Sequence, residues 1–164
     1  MEKIEILKEQ LGSSDEETRR LAVAGLVAHP VRETRDYLFA ALGDASWRVR
    51  KEAVEALLAA SVPVEIIEEL VRLLASHDNA GMRNSAVEAL EKLGAQAMPI
   101  LCRHVADADH DVRKFVIDIL GSIGDAAAVP LLVRALDDPE PNVSAAAAEN
   151  LGKIGDAQAL PYLL

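Results

Sequence analysis

Five segments of this chain repeat one another about every thirty residues, and that periodicity restricts the fold more than any other feature. They are TRRLAVAGL (Thr18–Leu26), VRKEAVEAL (Val49–Leu57), MRNSAVEAL (Met82–Leu90), VRKFVIDIL (Val112–Leu120) and VSAAAAENL (Val143–Leu151). Their starts lie 31, 33, 30 and 31 residues apart. The period is far longer than a heptad and matches a unit of two helices with their connections. One helix pair cannot bury its apolar face alone, so neighbouring pairs must stack to cover it. The 164 residues hold five such pairs and the first helix of a sixth.

The second helix of a repeat is clearest in the fourth. Val112, Val116, Ile119, Leu120 and Ile123 recur at helical spacing and share one face. Phe115 and Ile117 widen that face, so the helix needs cover on several sides. The same offsets select Val49, Ala53, Ala56, Leu57 and Ala60 in the second repeat. First helices are expected at Glu2–Leu11, Glu33–Leu42, Val64–Ala75, Ala97–Ala106 and Ala126–Leu136. Pro30, Pro63, Pro99, Pro130 and Pro161 stand at or near their starts, where a missing N–H costs nothing. Gly43, Gly94, Gly124 and Gly155 follow helix ends, where a left-handed residue is wanted. Ser14, three before Glu17, fits a capping box. The stretch LGSIGD at Leu120–Asp125 could be taken for a phosphate-cradling loop. No strand precedes it and no GK[ST] follows, so it reads as a helix end, a turn and the next helix start.

Composition agrees and excludes some functions. Half the residues are apolar, mostly Ala, Leu, Val and Ile, while only Tyr37, Phe39, Trp47, Phe115 and Tyr162 are aromatic. A net charge of −10 repels phosphate backbones, so no nucleic-acid partner is expected. The single cysteine, Cys102, fits a reducing compartment. No signal-peptide run and no span of 18 uncharged apolar residues is present, so a cytoplasmic protein without membrane contact is expected.

Two motifs make the chain resemble the HEAT repeats, in the short bacterial form called HEAT-like or phycobilisome-lyase-type. One is an aspartate six residues before the arginine of a Val-Arg pair, in Asp44–Arg50 and Asp107–Arg113. The other is LGxIGDAxAxP, in Leu120–Pro130 and Leu151–Pro161. The resemblance covers nearly the whole chain. It implies an all-α fold, a right-handed α-solenoid or superhelix of antiparallel helix pairs. The expected organisation is one domain over 1–164. Its repeats fall at approximately 1–29, 30–61, 62–95, 96–125 and 126–155, with a half repeat at 156–164. It also implies an Asp–Arg ladder between adjacent repeats. Arg19, Arg50, Arg83 and Arg113 share one position at the edge of the apolar face, and a charge there needs a partner. Asp44, Asp78 and Asp107 precede three of them and Asp15 the fourth. Ser144 replaces the arginine in the fifth repeat, and Asn150 stands on its packed face, so the ladder is expected to end before that repeat. A catalytic or phosphate-binding arginine row is the rival reading, and repetition itself argues against it.

In proteins of this resemblance the second helices line the concave face. The residues that those helices leave outside the apolar stripe form two rows. Arg20, Lys51, Asn84, Lys114 and Ala145 make one; Ala24, Glu55, Glu88, Asp118 and Glu149 make the other. Lys51–Glu55 and Lys114–Asp118 are i,i+4 pairs of opposite sign. Together with Trp47, these rows are the candidate partner-binding groove. A tryptophan just before a helix is expected to pack on the neighbouring turn, with an interface hot spot as the alternative.

No catalytic constellation is found. Asp107, Asp109 and Asp111 resemble the start of a calcium loop, but Val112 occupies the glycine position and Asp118 the closing glutamate position. His29, His77, His104 and His110 form no HExxH motif. HEAT-like deoxyhypusine hydroxylases carry His-Glu dipeptides on their second helices, and the nearest position here is Lys51-Glu52. Cys102 reads as a structural thiol unless a base such as His104 lies beside it. HEAT-like DNA glycosylases are basic and aromatic around their groove, unlike this chain. The expectation is a non-enzymatic protein–protein scaffold without metal or cofactor, binding a protein partner. The alternative is an accessory subunit of a phycobilin lyase-like or other enzyme complex. The chain stops at PYLL, half-way through a repeat. Pro161, Leu163 and Leu164 would leave an apolar edge, which suggests a fragment of a longer array or edge-to-edge self-association through that half repeat.

Overall fold

A computed structural model of the chain describes residues 2–59 and 61–155. Ten α-helices are present among the described residues, and no strands. The first helices of the repeats are α1 (Glu2–Leu11), α3 (Val31–Leu42), α5 (Val64–Leu73), α7 (Met98–His104) and α9 (Val129–Ala135). The second helices are α2 (Glu16–Leu26), α4 (Trp47–Leu58), α6 (Ala80–Leu93), α8 (His110–Ile123) and α10 (Pro141–Ile154). Short 3-10 turns at Gly94–Gln96 and Ala126–Ala128 lead into α7 and α9. The expected half repeat at 156–164, with its apolar edge at Pro161, Leu163 and Leu164, lies outside the described residues, as does Ala60.

Local chemistry explains most helix boundaries. Pro30 and Pro63 cap α3 and α5, while Pro99 and Pro130 fall in the first turns of α7 and α9. Asp15, Ser46 and Asp109 accept backbone N–H groups at the starts of α2, α4 and α8, and satisfy donors that a helix leaves unpaired. The cap of α2 is therefore Asp15, whose carboxylate holds both the N–H and the hydroxyl of Thr18, and not the expected Ser14. A carboxylate wins because it accepts both bonds at once.

Gly94, Gly124 and Gly155 take the left-handed conformation expected after a helix. Gly43 does not; its φ is −102°. Its surroundings are crowded instead, by the ends of two side chains. A Cβ on Gly43 would stand 2.6 Å from Met82 Cε and 3.0 Å from Asn79 Nδ2.

The chain divides into two compact units, with the boundary between Ala89 and Leu90 inside α6. In the N-terminal unit α2 packs on α1, α3 and α4, and α3 packs on α4. Its core holds Val23, Leu26, Leu42, Val49, Ala53, Leu57, Ile67 and Leu70, all 1% exposed or less. In the C-terminal unit α8 packs on α7 and α10, and α10 on α9. Val112, Val116, Ile119 and Leu120 are buried there as the periodicity requires, Ile117 is buried with them, and Ile123 is half-buried. Each such side chain contributes roughly 1.5–3 kcal/mol when fully buried. Second helix thus lies on second helix in each unit, the stacking of an α-solenoid.

The contact of α8 with α10 is tightest at Gly121. A Cβ at that position would fall 2.4 Å from the Cβ of Asn150 and 2.2 Å from its Oδ1. Gly152, also on the second helix of the fifth repeat, has open space, with nothing within 4 Å of an added Cβ. Gly121→Ala is therefore expected to destabilise the protein by about 1–3 kcal/mol through overpacking. Gly152→Ala should stabilise it by up to roughly 1 kcal/mol through helix propensity. Urea unfolding of the two variants beside the wild type checks both signs.

Candidate functional site

The repeated arginines lie where a second helix leaves its loop, and two of the four, Arg19 and Arg113, reach in two directions. Arg19 donates from Nε and Nη2 to the two carboxylate oxygens of Asp44, at 2.8 and 2.9 Å. Its Nη1 donates to the carbonyls of Ser13 and Ser14 in its own loop, at 2.9 and 3.2 Å. Arg113 repeats the pattern. It is bidentate to Asp138 at 2.8 Å for both bonds, and its Nη1 donates to the carbonyls of Asp107 and Ala108. The aspartates are held in turn by backbone N–H groups, Ser46 to Asp44 and Glu140 to Asp138. Both pairs are largely buried, with side-chain exposure between 11% and 16%.

This geometry corrects the pairing inferred from spacing. The residue six before an arginine supplies its backbone carbonyl, while the carboxylate comes from 25 residues ahead, in the next repeat. Asp44 therefore partners Arg19, and among the described residues Arg50 takes the carbonyls of Asp44 and Ala45 while lying against Gly81. His77 occupies the register position where Arg50 would look for an aspartate. Asp78 stays exposed, and Arg83 donates to the carbonyl of Ser76 at 3.2 Å. The Asp107 carboxylate accepts from the N–H of Asp109 and faces His104 Nδ1, each at 3.0 Å. Asp138 was missed altogether. The fifth repeat lacks the arginine but keeps the acceptor, so the ladder enters it. Asp138 stands six residues before Ser144, and that register was the available signal.

The outward faces of the second helices differ between the two units. In the N-terminal unit, Arg20, Trp47, Arg48, Lys51, Glu52 and Glu55 line a shallow depression of about 260 Å³. Arg20 bridges two helices, with bonds of 2.7 and 3.0 Å to Glu17 and 2.6 Å to Glu52. Arg48 faces Glu16 at 3.4 Å and Glu17 at 3.8 Å. Lys51 is exposed and forms no ion pair among the described residues, so the i,i+4 pair with Glu55 is not made. Glu52 was not singled out from the sequence; it turns inward toward Arg20 from a position between the two rows. Trp47 does not pack down on the neighbouring turn. It is 65% exposed, the most exposed of the large apolar side chains among the described residues. As the first residue of α4 it has no preceding turn to lie on. Asn84 is exposed on α6 and Glu88 is half-buried.

In the C-terminal unit the corresponding charges are joined to one another. Lys114 donates to Asp118 at 2.7 Å, as its spacing requires, and lies 5.7 Å from the ring centre of Phe115. Asp118 also accepts from Asn150 Nδ2 at 3.0 Å, and Lys153 pairs with Glu149 at 2.7 Å. Asn150 is 2% exposed, and its amide is satisfied by Asp118 and the Ala146 carbonyl. A buried amide is tolerable when so paired.

Asp109, Cys102 and His104 each have a structural setting. Asp109 caps α8 through the N–H of Asp111 at 2.8 Å, so the D-x-D-x-D stretch is a turn and a helix start. Burial pushes the Cys102 thiol above its ordinary value and leaves little thiolate. His104 is turned to Asp107. No helix among the described residues is long and apolar enough to cross a membrane.

A family model for HEAT repeats matches residues 4–66 and 98–164. No curated protein matches the chain. Among solved structures it is similar to an engineered protein, 25% identical over 99% of this chain and 84% of that one, with a TM-score of 0.45. The complex of CpcE and CpcF of phycocyanin lyase from Nostoc sp. is 25% identical over 97% of this chain and 66% of that one, with a TM-score of 0.46. A designed armadillo repeat protein is 21% identical over 98% and 86%, with a TM-score of 0.44.

The rungs make a pH prediction. Arg19 holds the Asp44 carboxyl below the usual carboxylate range, and Arg113 does the same to Asp138. A carboxyl whose folded pKa is depressed adds stability above its unfolded value of about 3.9, and that contribution disappears as pH falls through the lower folded value. Stability should therefore be flat near neutrality and fall below about pH 4. Arg113→Ala should cost on the order of 1–3 kcal/mol at pH 7 and flatten the acid dependence. Urea unfolding from pH 7 down to pH 3 measures both; a loss of only a few tenths at neutral pH would contradict the buried rung.

Proposed function

This chain belongs to the HEAT-repeat family, and we propose that it is a non-enzymatic protein-interaction scaffold whose binding face is the outward side of its second helices. A stacked helical array is an extended surface made of repeated elements, which suits recognition of another chain. The observation that carries the reading is Trp47. A chain poor in aromatics places its single tryptophan in the open, at a depression lined by charged side chains. Exposing an indole to water is unfavourable for an isolated protein, and tryptophan is enriched among residues that dominate interface energies. The ion pairs of Arg20 and Arg48 around it set a fixed polar rim. In this reading Arg20, Lys51, Glu55, Asn84 and Glu88 are the contact residues of the N-terminal unit, and Lys114, Asp118 and Glu149 those of the C-terminal unit.

The test is affinity capture from a lysate of the source organism. The wild type is expected to retain a defined protein. Trp47→Ala should reduce its capture roughly tenfold or more, as for a hot-spot residue. Because Trp47 is exposed, unfolding of the variant should stay within about 0.5 kcal/mol of the wild type. Equal capture by the two proteins would move the binding face elsewhere.

A further inference from the structure

Trp47 and Lys51 stand four residues apart on α4, so they share a helix face with Cβ atoms roughly 5–6 Å apart. The other charges that line the depression are already engaged. Arg20 is held by Glu17 and Glu52, Arg48 faces Glu16 and Glu17, and Glu55 has an interaction of its own. Among the described residues, what the face leaves to a partner is an apolar indole surface and one ammonium group, that of Lys51, without an ion pair. The glutamates offset Arg20 and Arg48, so the remaining charge beside the indole is that of Lys51, which disfavours a cationic guest, and one aromatic ring is no cage for a quaternary ammonium.

We propose that Trp47 and Lys51 together read an extended segment of a partner protein in which an apolar residue and an Asp or Glu are two positions apart. This assignment rests on the second-helix face being the binding face. In an extended chain, residues i and i+2 project to the same side, about 6.6 Å apart, which matches the separation of the two side chains on α4. Adjacent residues project to opposite sides and could not reach both. The apolar side chain covers the indole, and the carboxylate accepts from Lys51 Nζ. The chain's net charge of −10 repels an acidic segment at long range. Burial against Trp47 therefore supplies the attraction, and the ion pair supplies the selectivity.

Trp47 is the chain's one tryptophan, so its emission reports on the site directly. The probe is the synthetic peptide acetyl-Gly-Ser-Leu-Ser-Glu-Ser-Gly-amide. Titration should shift the emission to the blue and saturate. Replacing its Glu with Gln should weaken binding roughly two- to fivefold, the range of an exposed ion pair. A peptide with Leu and Glu adjacent should bind no better than the Gln peptide. In Lys51→Gln, an exposed replacement, the Glu and Gln peptides should bind alike. The proposal is overturned if the Gln peptide or a Lys peptide binds the wild type as well as the Glu peptide does. It is equally overturned if no peptide perturbs the emission. Either result leaves the scaffold reading intact so long as Trp47→Ala still reduces capture roughly tenfold or more; that reading fails only by its own test.

Discussion

A guanidinium that bonds forward to the next repeat and backward to its own loop is the constraint around which each compact unit is arranged. Arg19 and Arg113 do this with the same atoms: Nε and Nη2 to a carboxylate ahead, Nη1 to carbonyls behind. The aspartate ahead is itself anchored by a backbone N–H, so the contact joins one loop to the next rather than one side chain to another. Apolar stacking alone is tolerant of small slides between helices. A bidentate pair is not, because both bonds need the planar fork and the carboxylate in register. The rungs thus set the phase in which α2 meets α4 and α8 meets α10, and that phase decides which side chains are left outside.

Those left outside follow different rules in the two units. Around α8 and α10 the charges satisfy one another through Lys114, Asp118 and Asn150, and Gly121 yields space for the buried amide. Around α2 and α4 the acids are used by Arg20 and Arg48, and Lys51 is left over beside an open indole. The two faces come from the same repeat, and a few substitutions at equivalent positions separate a closed network from an open one.

Much of the fold was legible from residues alone. Proline positions located the first helices, and the apolar stripe of Val112, Val116, Ile119 and Leu120 located the buried side of the second. The errors were local and had physical causes. Gly43 looked like a left-handed cap because glycine usually is one there, yet its φ is ordinary and it sits beside the side-chain ends of Met82 and Asn79. The ladder between adjacent repeats was expected, but Asp44 was noted for its place six residues before Arg50, because sequence distance hides Arg19, its partner 25 residues away. Asp138 went unnoticed because its repeat lacks the arginine that would have drawn attention to it.

The amino-acid sequence by itself determined that this chain is a series of helix pairs, because the spacing of small aliphatic residues, prolines and caps acts over a few turns and needs no distant partner. Only the tertiary structure decided which loop each arginine joins, that Trp47 stands in the open, and that Lys51 has no counter-ion among the described residues. Those outcomes depend on where one repeat stops against the next. That position is set by bonds between residues far apart in sequence, and no local pattern encodes it.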